Sequence, residues 1–142
     1  MKTALRTSLL LGACLSLASL AAQAQVVVII SAKNPISKLS ADQVSQIFLG
    51  QTKTYYTGAM AEPVDGAEGA AARNDFYQKV LGKNASQLKA HWSKLSFSGK
   101  GQPPKALAND QEVVKFVAAN PKFIGYVDKA AVDASVKVVL AP

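Results

Sequence analysis

The stretch Val64-Asp65-Gly66-Ala67-Glu68-Gly69-Ala70-Ala71-Ala72-Arg73-Asn74-Asp75-Phe76 decides the fold. A short apolar strand end runs into a loop with two glycines and then into a helix. In that layout, free backbone N–H groups and the helix dipole can hold a phosphate or a carboxylate. The side-chain chemistry is what departs from the plan: Ala70, Ala71 and Ala72 stand where an anion binder offers serine or threonine.

Working outward, residues 26–30 are an unbroken β-branched run, the pattern of a strand covered on both faces of an α/β sheet. After Pro35 several rules start a helix together. Ser40 caps, Gln43 closes a capping box, and Leu39 and Val44 staple across it. Val44, Ile47 and Phe48 share a face, and Gly50 ends the helix. Residues 51–60 read as a loop with Tyr55 and Tyr56 partly exposed. Residues 62–64 form a short strand into the Gly66 and Gly69 loop, after which Phe76, Tyr77, Val80 and Leu81 make a helix face closed by Gly82. Ser86 is expected to cap the next helix, whose apolar row is Leu88, Trp92 and Leu95.

Phe97-Ser98-Gly99-Lys100-Gly101-Gln102-Pro103-Pro104-Lys105 reads as a Gly/Pro-rich loop. Asn109 and Glu112 repeat the cap logic for a helix with Val113, Phe116 and Val117 on its face, ended by Asn120-Pro121. Residues 123–127 and 136–140 read as further strands, with one helical turn between them over 128–133. The order strand, helix, strand, helices, strand, strand predicts a small α/β lobe, a mixed sheet flanked by helices.

The first 24 residues read as an export signal. Lys2 and Arg6 are its basic end, residues 9–22 its apolar stretch, and Ala22-Gln23-Ala24 its cleavage site before Gln25. A second route is open, since Leu11-Gly12-Ala13-Cys14 resembles the lipobox at which bacterial lipoproteins are cut and acylated. The expected address is periplasmic or secreted, with no stable membrane insertion after cleavage. Cleavage after Ala24 leaves 118 of 142 residues, enough for one domain over 25–142 with a modest core. Cys14 is the only cysteine, so the mature chain has no disulfide, thiolate ligand or cysteine nucleophile.

Sixteen basic residues oppose nine acidic ones, and only Lys2 and Arg6 of the basic set lie in the signal. The mature chain is thus basic, with lysines scattered from Lys33 to Lys137. Scattered lysines without interleaved aromatics point away from nucleic acid and toward an anionic ligand or an acidic partner, with simple solubility as the plain alternative.

Enzymatic constellations are scarce. His91 is the one histidine and sits beside Trp92 inside a helix, with no serine triad or metal cluster around it. Gly99-Lys100-Gly101 lacks the spacing of a P-loop. Glu62, Asp65 and Glu68 are close in sequence, but loop acids near a helix start usually cap or meet water. No metal, cofactor or catalytic residue is expected.

Taken in order, several motifs resemble the substrate-binding proteins of phosphate ABC uptake systems. They are Asn34-Pro35, the run Leu39-Ser40 through Gln43 to Ile47-Phe48 and Gly50, Pro63-Val64, Arg73 with Phe76, and Ile124-Gly125-Tyr126-Val127. Short exported relatives of that family also carry Trp92 and the 97–104 loop. The resemblance implies one lobe of a periplasmic-binding-protein fold, in whose full-length members two lobes close over one anion. It implies a Ser-Gly-Thr before Arg73, where this chain has three alanines. It also implies a facing lobe, which nothing here resembles.

Losing two hydroxyl donors to an anion, at ~1.5–3 kcal/mol each, weakens binding by a few powers of ten. The expected ligand contacts are the backbone N–H groups of Ala71, Ala72 and Arg73 and the Arg73 guanidinium, with Ser98, Gly99 and Lys100 from the Pro-rich loop. Arg73 has a second open reading, as a local pair for Asp75, Glu68 or Asp65. Two functions follow. One is an exported, non-enzymatic solute-binding-like protein that takes a small anion such as phosphate weakly or with a partner. The other is a periplasmic interaction module that has lost its ligand and works as a homodimer or on a protein partner.

Overall fold

The computed structural model describes residues 25–142. The expected signal, its cleavage site and the Cys14 lipobox lie outside the described residues.

The 26–30 run forms β1 (Val26–Ser31), in which every residue is buried. It lies inside a five-stranded mixed sheet, antiparallel to β4 (Phe123–Asp128) on one side and to β5 (Val136–Leu140) on the other. The remaining strands, β2 (Glu62–Asp65) and the two-residue β3 (Lys105–Ala106), run parallel to β4, giving the order β3-β2-β4-β1-β5. The alternation of side chains along β1 splits the core in two. Val26, Val28 and Ile30 face one cluster, while Val27 and Ile29 face the other. Each buried Val or Ile contributes ~1.5–3 kcal/mol, so this run adds to both clusters at once.

On the first face lie α1 (Ala41–Phe48), α2 (Ala71–Phe76) continuing as a π-helical turn (Tyr77–Leu81), and α3 (Ala85–Phe97). The second face is covered by α4 (Asp110–Ala119) through Val113, Val114 and Val117. Gly125 makes that contact possible. A Cβ there would stand 2.8 Å from Val113 Cγ1, and Val64 and Val117 close in at 3.1 and 3.2 Å.

The cap of α1 is as expected: Ser40 Oγ accepts from Gln43 N at 3.1 Å, and Gln43 Oε1 accepts from Ser40 N at 2.9 Å. Gly50 and Gly82 end their helices with φ of 72° and 64°. For α3 the cap is Asn84 in place of Ser86. Asn84 Oδ1 accepts from Gln87 N at 2.9 Å, so the helix starts one residue before Ser86. Tyr55 is 2% exposed instead of partly exposed, because its hydroxyl reaches the carbonyls of Lys122 and Phe123 and its ring completes the core. Tyr56 is exposed. Lys105, read as loop, belongs to β3, which is held by its pairing with Val64 and has no strand pattern of its own. No helix among the described residues is long and apolar enough to cross a membrane.

Candidate functional site

The 64–76 stretch folds as its pattern demands: β2 ends at Asp65, the chain turns through Gly69 at φ 81°, and α2 starts at Ala71. Ala70 occupies the N-cap in extended geometry and offers no side chain to the helix. The first helical bond is from Asn74 N to the Ala70 carbonyl at 3.2 Å. The N–H groups of Ala71, Ala72 and Arg73 therefore form the uncapped first turn, and the dipole end is positive there.

Beside that turn lies a buried polar cluster. Asp65 is 2% exposed and ends β2. Its Oδ2 accepts from Tyr77 Oη at 2.7 Å and faces Arg73 Nη1 at 3.5 Å. Its Oδ1 accepts from Gly66 N at 3.0 Å and from the Tyr126 hydroxyl. Tyr126 Oη in turn accepts from Gly66 N at 2.9 Å. Arg73 also donates to the Gly66 carbonyl at 3.0 Å, and its guanidinium lies 5.7 Å from the Tyr77 ring centre.

Burial pushes the Asp65 carboxyl above its ordinary range, against the lowering effect of the Tyr126 and Tyr77 hydrogen bonds and the Arg73 charge. Both tyrosines are raised as well, by burial first and then by the carboxylate. Phe76 stacks on Tyr126 at 4.0 Å and Phe48 meets Phe76 edge-on at 4.8 Å, so the cluster is floored by aromatic rings.

Gly69 and Arg73 open onto a cleft of about 820 Å³ between the α2–π segment and α3. Its charged lining is Arg73, Lys83 and Lys89 against Glu68. Ser98, Gly99 and Lys100 are elsewhere. Gly99 at φ 70° stops α3, and the three backbone N–H groups are spent on the Lys94, Ser96 and Leu95 carbonyls. Ser98 Oγ donates to the Leu95 carbonyl at 3.1 Å. Gly99 and Lys100 line a second cleft of about 520 Å³ with Lys53 and Lys105, which touches the first only at Trp92 and Pro103. The structure thus brings Ala71, Ala72 and Arg73 together and sets Ser98, Gly99 and Lys100 apart from them. Of the three acids weighed as partners of Arg73, Asp65 is the one in contact; Asp75 pairs with Lys79 at 3.1 Å.

Tyr126 and Tyr77 are the members that sequence reading did not assign to the site. A signal was present: each sits on a core face, and a buried phenol needs an acceptor, for which Asp65 at a strand end is at hand. His91 is a packing residue, its Nε2 2.9 Å from the Leu49 carbonyl. Among the described residues no three His, Cys, Asp or Glu side chains gather as a metal site would need.

No family model matches the chain, and no curated protein matches it. Solved structures do. A phosphate ABC transporter substrate-binding protein of Clostridium perfringens, with phosphate bound, superposes with a TM-score of 0.64 at 22% identity over 82% of this chain and 44% of that one. An ABC-type phosphate transport receptor of Vibrio cholerae gives 0.58 at 16%, covering 82% and 45%. PstS of Borrelia burgdorferi gives 0.61 at 12%, covering 82% and 46%. This chain spans less than half the length of each. The chain therefore has the fold of part of a phosphate ABC transporter substrate-binding protein, a mixed-sheet lobe of the periplasmic-binding-protein type.

Proposed function

We propose that this chain is an exported, non-enzymatic, solute-binding-like protein that takes a small anion such as phosphate, weakly by itself or together with a partner. The observation that carries the reading is the uncapped turn at Ala71, Ala72 and Arg73, next to a cleft whose lining is cationic in balance. Donors of this kind act on an anion without any catalytic group, and the fold is one in which a solved relative holds phosphate. Export rests on residues 1–24, and weak binding on the Arg73 guanidinium, which Asp65 and the Gly66 carbonyl already engage.

Isothermal titration of the exported protein with phosphate, sulfate and small carboxylates tests it. The expected result is saturable heat with a Kd in the millimolar range, about −4 kcal/mol. No heat at millimolar ligand would remove the solute-binding claim for the chain by itself.

One observation favours the second reading, an interaction module without a ligand. The Arg73 guanidinium is turned onto Asp65 and the Gly66 carbonyl, so the cation that should meet an anion is already neutralised. Sedimentation and pull-down from periplasmic extract separate the two. A strict monomer that recruits nothing counts against the module.

A further inference from the structure

Arg73 stands between the interior and the solvent. Its Nη1 lies 3.5 Å from Asp65 Oδ2 and donates to the Gly66 carbonyl at 3.0 Å, on the buried side. The same side chain is 20% exposed and borders the cleft between the α2–π segment and α3. A guanidinium held by a carboxylate has its charge balanced before any external anion arrives, so an anion must compete with Asp65.

That competitor can lose its charge without any movement of the backbone. The groups facing the Asp65 carboxyl are Arg73 of α2, Tyr77 of the π-helical turn, Tyr126 of β4 and the Gly66 N–H. Among the described residues, α1, α4 and β3, which also pack on β2, bring no charged side chain within ion-pair distance of it. Burial and the neighbouring carboxylate raise both phenols, so in acid the carboxyl alone changes charge within this cluster. Burial also lifts the carboxyl itself against its partners, so it takes up a proton in milder acid than a free carboxyl needs. Once neutral, the acid still bonds to the two phenols. Arg73 then keeps only uncharged acceptors, which hold a guanidinium less strongly than a carboxylate does.

We infer that Asp65 is an acid-released lock on Arg73: the carboxylate keeps the guanidinium from an external anion, and protonation of Asp65 frees that charge for the ligand. The inference rests on the anion-binding reading and adds the regulation of the same site. One proton passes from solvent to the Asp65 carboxyl, and Arg73 exchanges an internal anion for an external one. Protonation and anion binding therefore favour each other by the same factor.

Sulfate is the probe, because unlike phosphate it keeps one charge from about pH 8 down to about pH 4, where carboxyls titrate. The exported protein is titrated by calorimetry across that range, in buffers of different ionisation enthalpy. Sulfate affinity should rise at least ~tenfold on acidification, with uptake of up to one proton for each ion bound. Arg73→Gln should remove the rise. Asp65→Asn, with its fold checked by circular dichroism, should bind sulfate at neutral pH as tightly as the wild type does in acid, without proton uptake. Asp75→Asn, an equal charge change on α2 at an acid that pairs with Lys79, should keep the wild-type profile.

Sulfate affinity that stays constant over the range would overturn the lock and leave anion binding standing. A gain from Asp75→Asn equal to that from Asp65→Asn would assign the effect to overall charge and overturn it as well. If Asp65→Asn does not fold, proton uptake by the wild type and its loss in Arg73→Gln decide the matter. No heat from sulfate or phosphate at any pH, in the wild type or in Asp65→Asn, would sink both readings together.

Discussion

Tyr77 donates its phenolic hydrogen to Asp65 Oδ2 at 2.7 Å, and so ties the π-helical turn to the end of β2. Tyr126 of β4 holds the other carboxylate oxygen. One buried side chain thereby joins a strand end, a helix and the neighbouring strand, at the root of the loop that presents the Ala71–Arg73 turn.

Asp65→Ala removes an acceptor from two buried hydroxyls and the partner of Arg73. Stability in urea should fall by ~3 kcal/mol, because the stranded groups keep their desolvation cost. Asp65→Asn keeps one acceptor oxygen and should lose about half as much. It also leaves Arg73 without a neutralising charge, so heat on phosphate titration should increase. A loss under ~1 kcal/mol for the alanine variant would deny the cluster its structural role.

The acid limb of the stability curve carries the mark of Asp65. Burial raises its carboxyl above the ordinary value, so the folded protein holds that proton more tightly than the unfolded chain does. Its contribution is then greatest below the unfolded pKa of about 3.9 and is lost as pH rises through the folded value. The lead of the wild type over Asp65→Asn should therefore be largest below the unfolded value and shrink as pH rises above it. A lead that grows with pH would show the hydrogen bonds of Tyr77 and Tyr126 outweighing burial.

Ala70 has the extended geometry of an N-cap and lacks only the oxygen. Ala70→Ser should add ~1 kcal/mol to the thermal or urea stability. The double change Ala70→Ser with Ala72→Thr should alter phosphate affinity by less than about threefold, since the new seryl oxygen takes an N–H that the anion would use. A large gain in affinity would mean that the missing hydroxyls alone limit binding.

Gly125→Ala should cost ~1–3 kcal/mol by overpacking, with α4 pushed off the sheet. The added methyl would stand 2.8 Å from Val113 Cγ1. Hydrogen exchange should show the loosening in α4 amides before those of α1. Unchanged exchange in α4 would contradict the close approach of helix and strand.

The 26–30 run, the Ser40–Gln43 box and the apolar faces of α1 and α3 were legible because each depends on residues within a few positions of one another. The face of Phe76, Tyr77, Val80 and Leu81 was read as one helix, but beyond Phe76 it is a π-helical turn, and on α4 Val114 is buried where Phe116 was expected. The miss at the α3 cap is of the same local kind. Asn84 and Ser86 are both good caps, and Gln87 three residues after Asn84 closes the box on the earlier one. Strand β3 was not legible at all, since two exposed residues carry no period, and only Val64 and Asp65 alongside make them a strand.

The candidate site divides in the same way. From its sequence alone this chain determines an uncapped helix start at Ala70–Arg73, because a missing side chain is visible without coordinates. Which way Arg73 turns was decided by tertiary structure. Asp65, Tyr77 and Tyr126 lie 12 and 61 residues apart along the chain and meet through packing, where burial makes every unpaired polar group expensive. The separation of Ser98, Gly99 and Lys100 from that turn has the same origin. Their N–H groups close the end of α3, and the tertiary fold sets that end on another cleft.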